Sequence, residues 1–137
     1  MSTPIGMKRT THRKPLKKRV PKLYVLDDLY NKCIKYLADY TCELCGVRPT
    51  NSKNFHTHHY ITRTVQRLRW EPRNTICVCS ACHSDLEKDP KFNVEVFTKR
   101  LGSDGVDKLR MQINTAPKAD RVALKVEYQA KLKELEG

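Results

Sequence analysis

Between Cys42 and His83 the chain carries two Cys-x-x-Cys pairs and three of its five histidines, with a fourth histidine closing the segment. Cys42-Glu43-Leu44-Cys45-Gly46 opens it and Cys79-Ser80-Ala81-Cys82-His83 ends it. Two such pairs can place four thiolates around one ion, a closed tetrahedral zinc site with Zn–S near about 2.3 Å. A site of that kind is structural, and replacing one thiolate is expected to unfold the domain. The 33 residues between the pairs exceed the roughly 15–20 of a plain zinc ribbon. The excess holds His56-Thr57-His58-His59 and Asn74. Histidines outside the thiolate set suit an open site, where a metal and a base can act on a substrate.

Phosphodiester hydrolysis with one metal needs ligands with open positions, a base to activate water and a group to hold that base. A neutral imidazole with a pKa near about 6.5 is a natural base at neutral pH. His59 is the candidate base, His58 and His83 are candidate metal ligands, and Asn74 is placed to orient the base or the turn. Each has a plainer reading. A His-His pair can sit at a core edge, His83 can support the thiolates or replace one, and Asn74 can be a turn residue. His56 shares a strand face with His58 and is a spare ligand, whereas His59 points to the other face.

These residues need elements to hold them. Leu23, Leu26, Tyr30, Ile34 and Leu37 recur at helical spacing, which predicts a helix from about 22 to 39 begun by Pro21. Thr41 to Gly46 reads as a zinc knuckle, with Gly46 allowing the tight turn. Phe55 to Ile61 and Thr75 to Val78 read as strands separated by a basic stretch and a turn at Pro72 and Asn74. Ser80 can cap a helix running to about Lys88, which Asp89-Pro90 ends. Helices are also predicted over 91–101, closed by Gly102, and over 104–113. A last helix begins at Pro117, with Leu124, Tyr128, Leu132 and Leu135 on one side. The fold class is α+β: one small domain at 22–113, a C-terminal helix over 114–137, and an arm over 1–21.

The net charge is +12, and residues 1–22 supply eight basic side chains and no acid. Such an arm, with Lys14, Lys17, Lys18 and Arg19 at its end, is expected to be disordered alone and to neutralise phosphates on a nucleic acid. It has no apolar face for a membrane surface, and no apolar run approaches the roughly 18–20 residues of a span. The chain reads as cytoplasmic, where thiols stay reduced and six cysteines point to metal rather than disulfides. Cys33 falls on the helical stripe, and Cys77 alternates with Cys79, so both read as core. Arg63, Arg67 and Arg69 are expected to face DNA, with Arg63 nearest the chemistry, and Trp70 to be buried.

The order His58-His59-Tyr60-Ile61, Asn74, Cys79-x-x-Cys82-His83 resembles the HNH endonucleases, whose ββα-metal core is here stapled by a four-Cys zinc. Cys42-x-x-Cys45-Gly46, His56-x-x-His59-Tyr60, Leu68-Arg69-Trp70-x-x-x-Asn74 and Phe97-Thr98-Lys99-Arg100-Leu101-Gly102 are similar to the NinG/Rap recombination endonucleases of lambdoid phages. That likeness covers about residues 22–110. It implies metal-dependent DNA cleavage, on branched recombination intermediates in a phage setting, with structural Zn²⁺ and catalytic Mg²⁺ or Mn²⁺. By position His59 matches the general base, Asn74 the central asparagine and His83 the final ligand, while His58 stands where many relatives have aspartate. Histidine there softens the site toward Mn²⁺, Ni²⁺ or Zn²⁺, and His56 is the alternative ligand. Resolving a junction would favour a homodimer. The competing expectation is a zinc ribbon that binds nucleic acid without cutting it.

Overall fold

The computed structural model describes residues 19–137, so Lys14, Lys17 and Lys18 lie outside the described residues. Its elements are α1 (Leu23–Leu37), β1 (Phe55–His59), the one-turn α2 (Gln66–Arg69), β2 (Thr75–Cys79), α3 (Ser80–Lys88), α4 (Pro90–Thr115) and α5 (Arg121–Glu136). The architecture is α+β, with one two-stranded antiparallel sheet. Phe55 pairs with Cys79 at one end of the ladder and His59 with Thr75 at the other.

The first core is built on β2, whose Ile76 and Val78 meet Leu86 of α3 and Phe97 and Val106 of α4. A second joins Leu26, Tyr30 and Cys33 of α1 to Trp70 and to Tyr128 of α5. Tyr30 and Tyr128 meet edge to face at 5.1 Å, and the Tyr128 hydroxyl donates to the Trp70 carbonyl at 3.1 Å. The C-terminal helix therefore packs its predicted apolar side into the same body as the histidine segment. No helix among the described residues is long and apolar enough to cross a membrane.

Several boundaries differ from the sequence expectation. β1 ends at His59, because Asn74 captures the backbone that follows: its side chain accepts from the Ile61 N–H at 2.7 Å and donates to the Ile61 and Leu68 carbonyls at 3.0 Å each. The basic stretch contains α2, which buries Leu68; its flanking arginines disguised it as loop. Leu37 lies at the end of the helical stripe but is exposed. Ser80 does not cap α3, whose N-cap is Cys79. The break at Gly102 is present within α4 (φ 80°, ψ 161°), a backbone conformation open mainly to glycine. The last helix begins after Pro117, at Arg121, because the Asp120 carboxylate accepts from the Ala123 N–H at 3.1 Å.

Candidate functional site

The cysteine pairs converge as their spacing predicted. Cys42, Cys45, Cys79 and Cys82 each offer a sulfur, and all four sulfurs lie within 4.8 Å of one another. The knuckle closes when the Gly46 N–H donates to the Cys42 carbonyl at 3.0 Å, with Gly46 at φ 79°. Glu43 then docks the knuckle on β2: its N–H donates to the Cys77 carbonyl at 2.9 Å and its carboxylate accepts from the Cys77 N–H at 2.6 Å. Burial opposes ionisation of Cys42, but amides of Cys45, Cys79 and Leu44 overcome it and lower that thiol to about 6. Burial and the neighbouring sulfurs push Cys82 the other way. Four soft donors this close together could hold a metal such as zinc. Cys77 is apart from them, fully buried, its thiol pushed up to about 12 by burial and then by Glu43. It is a neutral core thiol, and so is Cys33, whose sulfur donates to the Tyr128 carbonyl at 3.4 Å.

A second cluster lies across the sheet. His58 of β1 and His83 and Glu87 of α3 present ligand atoms within 4.8 Å of one another. One helical turn separates His83 from Glu87, and Nε2 of His83 stands 3.0 Å from Oε1 of Glu87. The His58 Nε2 is 2.9 Å from Oδ1 of Asn93 on α4. An amide oxygen only accepts, so Nε2 carries the proton and the Nδ1 lone pair is left for a metal. His56 lies outside this cluster: its ring stacks on His83 at 4.8 Å and its Nε2 bonds the Ser80 hydroxyl at 2.9 Å. Two imidazoles and a carboxylate fit a first-row divalent ion, Mn²⁺ better than Mg²⁺.

His59, at the end of β1, is anchored differently. Its Nε2 donates to the Arg69 carbonyl at 2.7 Å, which leaves Nδ1 as the free base. Arg69 is itself fixed from α1: Nε and Nη2 reach the two oxygens of Asp27 at 3.0 and 2.6 Å, and Trp70 Nε1 adds a bond to Asp27 at 2.8 Å. Burial opposes the charge on Asp27, but the Arg69 and Trp70 hydrogen bonds outweigh it and hold the carboxyl below its ordinary range. Burial also lowers His58, His59 and His83 below the usual imidazole value, at His59 against the hydrogen bond that its ring donates to the Arg69 carbonyl. The histidines share a cleft of about 600 Å³ with Asp27, Asn31 and Lys35 of α1 and with the exposed Arg63.

Of the two roles expected of Asn74, the structure shows the turn: the residue is fully buried and bonds the loop backbone at Ile61 and Leu68, not His59. Arg69 is committed to Asp27, and the Arg67 guanidinium donates to the Ala116 carbonyl, so each ties the loop to another element. Arg63 remains exposed beside the cleft, and Arg19 is exposed. Sequence reasoning missed Glu87 and Asp27. The His-x-x-x-Glu spacing of His83 and Glu87 on a predicted helix was a usable signal for the first, and nothing local marks the second.

Compared with protein-family models, with curated proteins and with solved structures, the chain matches none.

Proposed function

We propose that this protein is a metal-dependent DNA endonuclease of the HNH type, hydrolysing phosphodiester bonds in the cleft between α1 and the histidine hairpin. The observation that carries the reading is the joint placement of His58, His83 and Glu87 as one ligand cluster with His59 adjacent on β1 and pinned through Nε2. In this reading Nδ1 of His59 takes a proton from water as its oxygen bonds to phosphorus and the P–O bond to the leaving group breaks. His58, His83 and Glu87 would hold a divalent ion, which would supply positive charge to the phosphate and the leaving oxygen. Arg63 holds a phosphate at the cleft, and Asp27 and Asn74 keep the Arg69 carbonyl where the base needs it. The finer expectation of branched recombination DNA rests on the resemblance to the NinG/Rap enzymes.

The test is cleavage of supercoiled, linear and branched DNA with Mn²⁺ or Mg²⁺ by the parent and by His59→Ala. Loss of a general base is expected to cost about 10²- to 10⁴-fold in rate while melting temperature and DNA affinity stay at parental values. A His59→Ala variant that cuts as fast as the parent would refute the assignment. A parent that binds all these DNAs and cuts none would instead identify a zinc module that only binds nucleic acid.

A further inference from the structure

The cleft does not end at the histidines. Lys35 and Phe55 line it beside His56, and the Lys35 ammonium stands 5.9 Å over the Phe55 ring. Tyr40 continues the surface, its ring 6.4 Å from that of Phe55, and Tyr36 follows at 6.2 Å from Tyr40. Both tyrosines leave 40% of their surface open, and Leu37 between them leaves 55%. Single exposed aromatics are ordinary. Here an unusual backbone presents Tyr40 beside Tyr36 of α1: Asp39 and Tyr40 are consecutive non-glycine residues at φ 54° and 51°. That turn is fastened by the Tyr40 N–H on the Lys35 carbonyl at 3.0 Å and by the Thr41 hydroxyl on the Asp39 carbonyl at 2.9 Å. Among the described residues Lys35 makes no salt bridge.

We propose that this ledge binds an unpaired nucleotide next to the scissile phosphate, with its base stacked on Tyr40 and edged by Tyr36, whose ring stands at 70° to that of Tyr40, and its phosphate on Lys35. The assignment rests on reading the adjoining cleft as the place where a phosphodiester is cut. Exposed aromatic faces beside a cation suit a nucleic-acid strand, because every base offers a π-face and every linkage a negative charge. Bases stacked within a duplex have their faces covered by neighbours, so the ledge selects strand ends, gaps, flaps or single strands. The strongly basic chain favours this polyanion over an apolar protein partner.

The experiment is fluorescence anisotropy of a short single-stranded oligonucleotide and of the matching duplex, without added Mg²⁺ or Mn²⁺. The parent is compared with Tyr36→Leu and with Tyr40→Asn, chosen because asparagine tolerates the left-handed backbone. Each variant is expected to bind the single strand roughly tenfold more weakly, about 1.4 kcal/mol, while duplex binding changes less than twofold. Lys35→Met is expected to weaken the single strand as well and to reduce the salt dependence. Equal losses on both DNAs, or none on either, would overturn the ledge; the second result would fit a protein-binding face instead. Tyrosine-dependent binding by a parent that cuts no DNA would keep the ledge and refute the nuclease.

Discussion

At the residue scale, four of the chain's histidines share one region but have different partners. The rings of His58 and His59 are each held through Nε2, by the Asn93 amide in one case and the Arg69 carbonyl in the other. Both rings are held below their ordinary pKa, first by burial. The consequence for stability has a definite sign. Above about pH 6.5 both folded and unfolded chains are neutral at these rings, so neither contributes. As the pH falls below that value the unfolded chain takes up protons that the folded chain resists, and stability drops until the folded values are passed. Melting temperature is expected to fall as the pH goes from 7 to about 5, less so in a His58→Gln, His59→Gln double variant. Protons also compete with any metal on His58, which acts in the same direction. The identities of these histidines were legible in the sequence. Glu87 was not recognised, although its spacing from His83 is visible, because one exposed carboxylate on a helix is usually only solvated.

At the element scale, α1 is the back wall of the cleft as well as a core helix. Leu26, Tyr30 and Cys33 face the core, while Asp27, Asn31 and Lys35 repeat every fourth residue along the cleft side. Asp27 couples the two faces, since it ties α1 to the loop whose carbonyl orients His59. With side-chain exposures of 18% for Asp27 and 12% for Arg69, this ion pair is shielded well enough to matter. Asp27→Asn keeps the shape and removes the charge. It is expected to cost about 1.5–3 kcal/mol of stability, the range for hydrogen bonds to a charged group. Turnover should fall more than substrate affinity, because the ring loses orientation while the phosphate contacts remain. Thermal melting and a kcat against KM comparison check both parts; unchanged kcat with lowered stability would leave Asp27 a purely structural residue. The helix and both strands were legible from periodicity, and α2 was not, since a one-turn helix is too short to show a period.

At the scale of the whole molecule, charge and packing divide the chain differently. Eight of the basic residues precede Tyr24, with no acid among them, and Asp27 is the first acidic residue. Removing residues 1–18 deletes six lysine and arginine side chains, Lys14, Lys17 and Lys18 among them. If each meets a phosphate, the slope of log affinity against log salt becomes shallower by about 5. Titrating DNA binding across salt concentrations measures this directly; an unchanged slope would mean that the segment does not bind DNA. The sequence by itself determined the four-thiolate clamp, the histidine pair and the order of the main elements, because ligand spacing and apolar periodicity are local properties of the chain. It also marked Cys33, Cys77 and Trp70 as core. Only the tertiary structure decided that His58 rather than His56 joins His83, and that Glu87 completes the cluster. Only it showed that Arg67, Arg69 and Asn74 hold the loop. Those outcomes depend on which groups meet across elements far apart in sequence. Periodicity assigns a side chain to a face, but the partner it meets there is set by packing.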